Sequence, residues 1–537
     1  MTDAIVIGAG PNGLVSANVL ADAGWSVTVL EAADTPGGAV KSAEVTAPGF
    51  VTDLYSAFYP LAMASRPIAS LHLAEFGLQW AHAPLVVTHP TDDGRAVTLS
   101  RDLDTTAASL DSYAPGDGDS YRALVAQFER IREPLLDALF RAFPPVAPGV
   151  RLLRALGTAE ALRFARFATM PLRRWSEEVF NGRGAAALLA GNALHTDLGP
   201  DSAGAAVFGW LLVMLGQTYG FPVPVGGAGA LTDALVARLR SRGGRLECGR
   251  PVHEVVVREG RAVGVRTADG ADLVATRAVL AAVDAPQLFG ALVAPEHLPG
   301  RLLDDLRRFQ WDNATLKVDW ALSGPVPWAD GVSGGAGTVH LGGDLSGLTR
   351  YTSQLAVGAV PDRPYIVFGQ MTTTDPTRSP AGTESAWGYT HVPQVVRADA
   401  GDDGITGKWD DREVAAAVER LEAQVERYAP GFRDLVVARH VAGPLDLEAA
   451  NRSLFRGALN GGTAAIHQQL IWRPVTGLGR PETPVRGLYL ASMSAHPGGG
   501  VHGGPGTIAA RTALRDAGVI GPLRRAATRA AHRAVYR

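Results

Sequence analysis

Short apolar runs alternate with glycine-rich turns along the chain, and the first of these runs is the most informative. Residues 4–7 predict a buried strand, residues 8–13 read Gly-Ala-Gly-Pro-Asn-Gly, and a helix is predicted to begin at the last glycine. A second apolar strand covers residues 26–30 and is followed by Glu31. This order of strand, glycine turn, helix, strand and acidic residue predicts a unit that binds a dinucleotide.

Each glycine of this turn has a separate physical role. Gly8 permits the tight turn between strand and helix, Gly10 lets the backbone approach a pyrophosphate, and Gly13 allows the helix to pack closely on the sheet. The helix N-terminus presents free N–H groups and the positive end of a dipole to the phosphates. Glu31 can accept hydrogen bonds from ribose hydroxyls, and the later pair Gly37-Gly38 predicts a second close approach of backbone to the cofactor.

The rest of the first half is predicted to be largely helical. After a hairpin at 85–99, residues 119–180 keep the spacing of apolar positions that is typical of helices. Residues 202–225 carry no Asp, Glu, Lys or Arg. Their strongly apolar part is only about a dozen residues long, so we expect a buried helix rather than a membrane span.

The second half returns to strands. A glycine-rich stretch leads into a helix at 232–242, and the strand-rich region 311–479 contains a further helix at 411–428. We interpret the strands between these regions as a three-stranded meander attached to one more strand of the dinucleotide-binding sheet. These strands are predicted at 245–247, 251–257, 262–267, 272–275 and 278–282.

The C-terminal part has the same predicted order of strand, glycine-rich loop and helix as the N-terminus. Residues 487–492 predict a last parallel strand, residues 495–506 form a glycine-rich loop, and a helix follows to residue 517. A second helix N-terminus directed at a cofactor could stabilise negative charge on it.

Composition narrows the class of protein. The chain has 537 residues with 46% hydrophobic and 19% charged residues, which is typical of a globular protein with a large core. The net charge of -3 gives no reason to expect nucleic acid as a partner. The single cysteine, Cys248, excludes an internal disulfide, a dithiol pair and a cysteine-based metal cluster. Because the first strand begins at residue 4, we expect a cytoplasmic protein.

An arginine-rich stretch leaves two interpretations open. Residues 141–174 contain seven arginines and a single acid, Glu160. Leucine and phenylalanine residues are interleaved with the arginines. Such a patch could make a peripheral contact with an anionic membrane, but the solvated face of a helical region is favoured. The basic, alanine-rich tail at 521–537 has too thin an apolar face to act as an anchor.

The cofactor is predicted to be a single flavin. Only one complete dinucleotide fingerprint is present, whereas hydride transfer between nicotinamide and flavin usually needs two such sites. The chain resembles the phytoene-desaturase-like flavoproteins of the flavin amine oxidase superfamily. The resemblance rests on residues 8–13 with Glu31, on Pro36-Gly37-Gly38, on residues 224–231, and on residues 488–490 followed by 496–501.

The resemblance implies FAD, with the backbone of Val252 at the adenine and residues 499–502 at the pyrimidine side of the isoalloxazine. Two positions depart from the family pattern: Ala39 stands where an arginine is common, with Lys41 as a possible substitute, and Ser492 stands where an acid is common. The implied cofactor-binding residues are Gly8, Gly10, Pro11, Asn12, Gly13, Glu31, Ala32, Gly37, Gly38, Ala39, Val252, Ser492, Gly499, Gly500, Val501 and His502.

Three residues are candidates for catalysis. Lys317, on an apolar strand, resembles the amine oxidase lysine that holds a water near flavin N5, although a surface or salt-bridged lysine is the alternative. His496 and His502 lie in the flavin-proximal loop, where proton transfer and loop-shaping contacts are both open. His195, His340 and His467 are more simply structural; they and the rest of the sequence show no Ser-His-Asp order and no metal-ligand spacing.

The predicted fold class is α/β (α+β overall). It comprises a glutathione-reductase-like Rossmann FAD domain with an inserted mixed-sheet and helical substrate domain. The predicted boundaries are 1–75, 223–290 and 481–520 for the three FAD-binding parts, 76–222 and 291–480 for the two substrate parts, and 521–537 for the tail.

The predicted function is FAD-dependent dehydrogenation or desaturation of a lipophilic, polyene- or isoprenoid-like substrate by hydride transfer to flavin N5. An amine or amino-acid-type oxidase that uses oxygen is the first alternative. A flavin-binding scaffold or a non-redox isomerase is the second. The sequence leaves the substrate, the electron acceptor and the oligomeric state open.

Overall fold

The computed structural model describes residues 1–477 and 479–537. Its first elements are β1 (Thr2–Ile7), α1 (Pro11–Asp22) and β2 (Val27–Leu30), which confirm the predicted order of strand, turn, helix and strand. The helix begins at Pro11, two residues earlier than predicted, because proline is well suited to the first helical position. Residue 478, inside the predicted substrate part 291–480, lies outside the described residues.

The chain between residues 42 and 224 is mainly helical, as predicted. Its elements are β3 (Ser42–Ala43), β4 (Thr52–Asp53), α2 (Pro60–Ala64), α3 (Arg66–Ala69), β5 (Trp80–Ala81), β6 (Leu85–Pro90), β7 (Ala96–Leu99), α4 (Leu103–Asp111), α5 (Asp117–Leu139), α6 (Val146–Leu156), α7 (Thr158–Thr169), α8 (Leu172–Val179), α9 (Arg183–Ala193), α10 (Ala205–Tyr219) and β8 (Val223–Pro224).

The remaining chain alternates strands with shorter helices. Its elements are α11 (Gly229–Ser241), β9 (Arg245–Glu247), β10 (Val252–Arg258), β11 (Arg261–Thr267), β12 (Asp272–Ala281), α12 (Ala285–Gln287), α13 (Gly300–Leu306), β13 (Ala314–Leu322), β14 (Ala336–Leu341), α14 (Leu345–Ala356), β15 (Ala359–Val360), β16 (Ile366–Gln370), α15 (Met371–Thr374), β17 (Glu384–Val392), β18 (Ala398–Asp399), α16 (Asp411–Tyr428), β19 (Val436–Ala442), α17 (Pro444–Ala450), β20 (Leu488–Leu490), α18 (Gly504–Ala517) and α19 (Gly521–Val535).

One seven-stranded sheet carries the dinucleotide-binding unit. Its order is β10-β11-β12-β1-β2-β9, and β20 pairs in parallel with β12. The two strands predicted at 272–275 and 278–282 are a single strand, because β12 pairs with β11 in an antiparallel ladder at its start and with β1 in a parallel ladder towards its end. The sheet therefore draws strands from all three predicted FAD-binding parts.

A second seven-stranded sheet has the order β19-β13-β17-β16-β14-β6-β7. All nine residues of β13 are buried, since helices cover both faces of the sheet. Leu316 and Trp320 of β13 pack with Leu421 of α16, whereas Trp387 of β17 joins the core built on α9 and α10. This sheet draws strands from both predicted substrate parts. The domain boundaries themselves stay a prediction.

The uncharged segment at 202–225 contains the buried helix that its length predicts. Trp210 of α10 is 1% exposed, and its ring packs edge-on against the rings of Phe128 and Phe167. Across the described ranges, no helix has both the length and the apolar character that a membrane crossing requires.

A buried carboxylate holds together three segments that are distant in sequence. Asp53 of β4 accepts hydrogen bonds from the Ser42 hydroxyl at 2.7 Å and the Ala228 N–H at 2.8 Å. It also pairs with Arg378 at 2.9 Å, and neither side chain of that pair is exposed. Since a buried charge is tolerated only with such partners, Asp53 fixes three distant segments in one place.

Candidate functional site

The N-terminus of α1 is open in the way that a dinucleotide site requires. Gly8 has a φ of +94°, which lets the chain turn sharply from β1 into the helix. In the described part of the chain no side chain caps this helix, and Oδ1 of Asn12 is buried without a hydrogen-bond partner. Unpaired helix N-termini of this kind bind phosphate oxygens.

The acidic residue and the second glycine pair lie at the same turn. The Glu31 carboxylate accepts hydrogen bonds from the N–H groups of Ala9 at 2.7 Å and Ala33 at 2.9 Å, which orients it beside the glycine loop. The Gly37 N–H donates to the Ala9 carbonyl at 2.9 Å. A Cβ on Gly38 would lie 3.0 Å from the Gly10 Cα, so the two glycine loops touch through their backbones.

The N-terminus of α18 meets the N-terminus of α1. A Cβ on Gly506 would lie 2.0 Å from the carbonyl oxygen of Asn12, a contact that only glycine permits. Near this contact, Oγ1 of Thr507 is also buried without a partner in the described residues. Two helix N-termini and the Thr507 hydroxyl can donate to the phosphate oxygens of a dinucleotide such as FAD, and the Asn12 oxygen can accept from one of its hydroxyl groups.

The other implied cofactor residues follow the same rim. Ala32 lies between Glu31 and Ala33, and the Ala33 carbonyl accepts a hydrogen bond from Gly249 at 2.9 Å, three residues before Val252. The Ala39 carbonyl accepts a hydrogen bond from the Ser56 hydroxyl at 2.8 Å. The ammonium group of Lys41, the possible substitute for the missing arginine, instead donates to the Thr35 carbonyl at 3.0 Å. Ser492 is buried two residues after the end of β20.

His502 shapes the loop that leads into α18. Its Nδ1 accepts a hydrogen bond from the Gly504 N–H at 3.0 Å, and its Nε2 lies 3.3 Å from the Gly499 carbonyl oxygen. These two contacts define the tautomer that carries its proton on Nε2. Burial lowers the pKa of His502 to about 4, so the ring is neutral at neutral pH. Both ring nitrogens are engaged, which favours the loop-shaping interpretation over proton transfer.

His496 differs from His502 in having a free nitrogen. The side chain is buried, and its Nε2 has no hydrogen-bond partner in the described residues. Burial and, to a smaller extent, the charge of Arg473 lower its pKa to about 4. A neutral imidazole with an unengaged nitrogen is able to accept a proton.

Arg473, which no sequence motif indicates as a functional residue, also holds this loop in place. The fully buried guanidinium donates to the carbonyls of Asn460 at 2.8 Å, Met493 at 2.7 Å and Thr463 at 3.1 Å. A Cβ on Gly498 would lie 3.3 Å from its Cζ, so the charge sits directly against the glycine turn. The sequence offers one sign of its role: Arg473 follows a stretch, residues 457–472, that contains no Asp, Glu, Lys or Arg.

A buried carboxylate supports the same loop from the other side. Asp312 accepts hydrogen bonds from the N–H groups of Leu459 and Asn460, both at 2.8 Å, and from Gly462 at 3.1 Å. Burial raises the pKa of Asp312 to about 6 despite these bonds. The loop at 459–462 is thereby held against the turn at 498–500, where a Cβ on Gly499 would lie 2.6 Å from Oδ1 of Asn460.

Lys317 lies on the second sheet rather than in the glycine loops. Its buried ammonium group bonds to the Asp319 carboxylate, two residues along the same face of β13. Its Nζ is 5.9 Å from the centroid of the Trp387 ring, which in turn lies 5.9 Å from Phe58 and is stacked on Tyr389. The lysine is therefore salt-bridged and faces aromatic side chains.

The remaining candidate histidines have structural contacts. His195 and His340 share a 2.8 Å contact between their Nε2 atoms, and burial lowers the pKa of both. Gly191 of α9 makes room for them, since its Cβ would lie 2.5 Å from Nδ1 of His340. His467 contacts Gln310 at 3.0 Å. Within the described ranges, no group of three or more His, Cys, Asp or Glu is arranged to hold a metal ion.

The arginine-rich stretch carries less free charge than its sequence suggests. Five of its seven arginines form ion pairs, mostly with acids that lie outside the stretch. The pairs are Arg151 with Asp137, Arg163 with Glu160, Arg166 with Glu178, Arg173 with Asp201, and Arg174 with Glu177 and Glu178.

Comparison with known proteins agrees with this geometry. The family model described as flavin containing amine oxidoreductase matches residues 12–514. Pyridine nucleotide-disulfide oxidoreductase domain-containing protein 2 of Mus musculus is 28% identical, covering 96% of this chain and 93% of its own. The neurosporene-forming phytoene desaturase of Rhodobacter capsulatus is 25% identical, covering 93% and 91%. An oxidoreductase structure from Methanosarcina mazei shares the fold, with a TM-score of 0.62, 16% identity and coverage of 95% and 99%.

Gly506→Ala tests the contact between the two helix N-termini. The added methyl would lie 2.0 Å from the Asn12 carbonyl and must push α18 away from α1. We expect FAD to bind about tenfold more weakly, a typical effect of overpacking. The control Gly300→Ala adds a methyl that meets nothing within 4 Å. Titration of each variant with FAD, followed by the flavin absorbance, measures the affinity. Equal FAD affinity in the two variants would contradict the prediction.

His502→Asn tests whether this histidine is held neutral. An Asn oxygen can still accept the Gly504 N–H but does not titrate. In the wild type the unfolded chain takes up a proton below about pH 6.5 while the folded ring stays neutral to about pH 4, so stability falls as pH drops through that window. We expect the variant's slope there to be smaller by up to about 1.4 kcal/mol per pH unit. Urea unfolding of the FAD-loaded protein at a series of pH values measures it, and an unchanged slope rules the neutral state out.

Proposed function

The chain belongs to the flavin-containing amine oxidoreductase family, and from this premise we propose that it removes hydrogen from a lipophilic, polyene- or isoprenoid-like substrate to form a carbon–carbon double bond. The protein is an FAD-dependent oxidoreductase.

The observation that carries the proposal is the neutral, aromatic character of the sheet face around Lys317. Phe58, Trp387 and Tyr389 lie there together, and the one buried lysine of this face is compensated by Asp319. An ammonium substrate is commonly held by a carboxylate, but the Asp319 carboxylate already bonds to Lys317. The face therefore suits an uncharged hydrocarbon better than a cation.

The relatives point in the same direction. The Rhodobacter capsulatus relative is named for the desaturation of phytoene, and its likeness covers nearly the whole of both chains. The Mus musculus relative is named for a pyridine nucleotide-disulfide oxidoreductase domain, but this chain has one cysteine and cannot form an internal redox disulfide. The desaturase reaction is the more compatible of the two.

The described residues would have separate roles in this reaction. The N-terminus of α1 and Glu31 would hold the dinucleotide, and FAD would supply a two-electron acceptor for a hydride that leaves a substrate carbon. The adjacent carbon must lose a proton, and the Lys317–Asp319 pair and the unengaged Nε2 of His496 are the proposed proton-handling groups. The α18 N-terminus and the Arg473 charge would stabilise negative charge beside the turn at 498–500.

Two further predictions accompany this proposal. A peripheral membrane contact through residues 141–174 would bring the protein to a lipophilic substrate, and exposed Val146, Leu153 and Leu162 would contribute apolar area to it. A cytoplasmic location also stays a prediction.

Anaerobic reduction of the bound flavin by a substrate panel tests the proposed function. We expect polyene or isoprenoid hydrocarbons in detergent micelles to bleach the visible flavin absorbance, while primary amines and amino acids leave it unchanged. Empty micelles are the control. Bleaching by amines alone would establish the oxidase alternative, and bleaching by no compound while dithionite still reduces the flavin would favour a scaffold or isomerase.

The double variant Lys317→Met/Asp319→Leu separates chemistry from packing at the buried pair. Removing both charges avoids the penalty of leaving one of them buried and unpaired, so we expect thermal stability close to the wild type. If the pair handles the substrate proton, flavin reduction by the substrate should slow by about 100-fold or more, with FAD binding unchanged. Single-turnover absorbance measures the rate, and a wild-type rate would make the pair purely structural.

A further inference from the structure

Two adjoining surface cavities lie between the end of α5 and the outer face of α18. Their volumes are about 440 and 310 Å³, and they share Phe140, Arg141 and Arg511 in their walls. Arg515 lines the smaller cavity as well. The Phe140 ring lies 5.3 Å from the His502 ring, so these cavities adjoin the glycine loop of the candidate site from outside.

The three arginines are uncompensated. Among the described residues no carboxylate forms an ion pair with Arg141, Arg511 or Arg515, in contrast to most arginines of the neighbouring helices. The only acid that the described residues contribute to either wall is Asp137, and it is already paired with Arg66 and Arg151. Guanidinium groups that converge without a counter-charge repel one another, and such an arrangement is typical of a site that receives an anion.

The positive charges of Arg141 and Arg515 act on Arg511. Burial lowers the pKa of Arg511, and the positive charges of Arg141 and Arg515 lower it further. An anion in the smaller cavity would relieve both effects. Arg511 and Arg515 are four residues apart on α18 and therefore lie on one face of that helix.

Apart from Thr512, the other residues that line the smaller cavity are apolar. Pro144, Pro145, Val146 and Ile508 line it beside the arginines. Val146, Val150 and Leu153 continue outward as an exposed stripe along α6, being 68%, 42% and 50% exposed. The cavity thus joins a positive end to an apolar wall.

We propose that the cavity lined by Arg141, Arg511 and Arg515 is a binding site for a phosphate group. Arginine is well suited to this ligand because its planar fork donates two parallel hydrogen bonds to phosphate oxygens. The phosphate would belong either to the headgroup of an anionic phospholipid, with its apolar part along the α6 stripe, or to a soluble phosphate compound. This site is separate from the FAD phosphates at α1 and does not depend on the redox reaction.

The test compares two phosphate sources on the FAD-loaded protein. Calorimetric titration with pyrophosphate reports a soluble ligand, and co-sedimentation with phosphatidylcholine vesicles, with and without phosphatidylglycerol, reports a lipid headgroup. The variant is Arg141→Gln/Arg511→Gln/Arg515→Gln. The control, Arg258→Gln/Arg350→Gln/Arg397→Gln, removes the same number of charges from exposed arginines elsewhere.

We expect the wild type and the control to bind at least one source, and the cavity variant to bind it at least about tenfold more weakly. Binding of vesicles alone assigns the site to a headgroup, and binding of pyrophosphate alone assigns it to a soluble compound. No binding by the wild type, or an equal loss in both variants, overturns the proposal. If the cavity variant does not retain FAD, Arg515→Gln with Arg350→Gln as its control replaces it under the same criteria.

Discussion

The whole site depends on backbone contacts that leave no room for a side chain. A Cβ on Gly13 would lie 2.0 Å from the Gly8 carbonyl oxygen, and one on Gly506 would lie equally close to the Asn12 carbonyl oxygen. These contacts bring α1 onto the first sheet and bring the α18 N-terminus against the α1 N-terminus. Because helix dipoles act only over about the first turn, two N-termini can act on one ligand only at such a distance.

Buried polar groups hold the distant loops around this centre. Asp53 fixes residues 42, 228 and 378, while Asp312 and Arg473 fix residues 459–463 and 493. Burying such charges is costly, and their hydrogen bonds largely offset that cost rather than adding stability. Their value is geometric, since each buried charge contacts groups on several segments at once and so holds those loops in one arrangement.

The sequence predicts those features that depend on residues adjacent in the chain. The strand, glycine turn and helix at residues 4–22 follow from adjacent residues, as do the buried α10 and the helix α16, whose predicted bounds agree with the structure. Arg473 and Asp312 could not be found in this way, because their partners lie on other elements. The continuity of β12 was missed for a related reason: its two halves pair with different strands, so its pattern changes midway.

The local net charge of a surface is the property that the sequence alone predicts least well. Residues 141–174 look strongly basic, yet acids from α5, α8 and the segment at 201 neutralise most of them, and Lys317 is neutralised by Asp319 two residues away. Folding thus cancels charge where the sequence concentrates it. It concentrates positive charge elsewhere, because Arg141 is brought to Arg511 and Arg515, which are about 370 residues away in the sequence. An arginine without a partner is therefore more informative about function in this protein than a run of arginines.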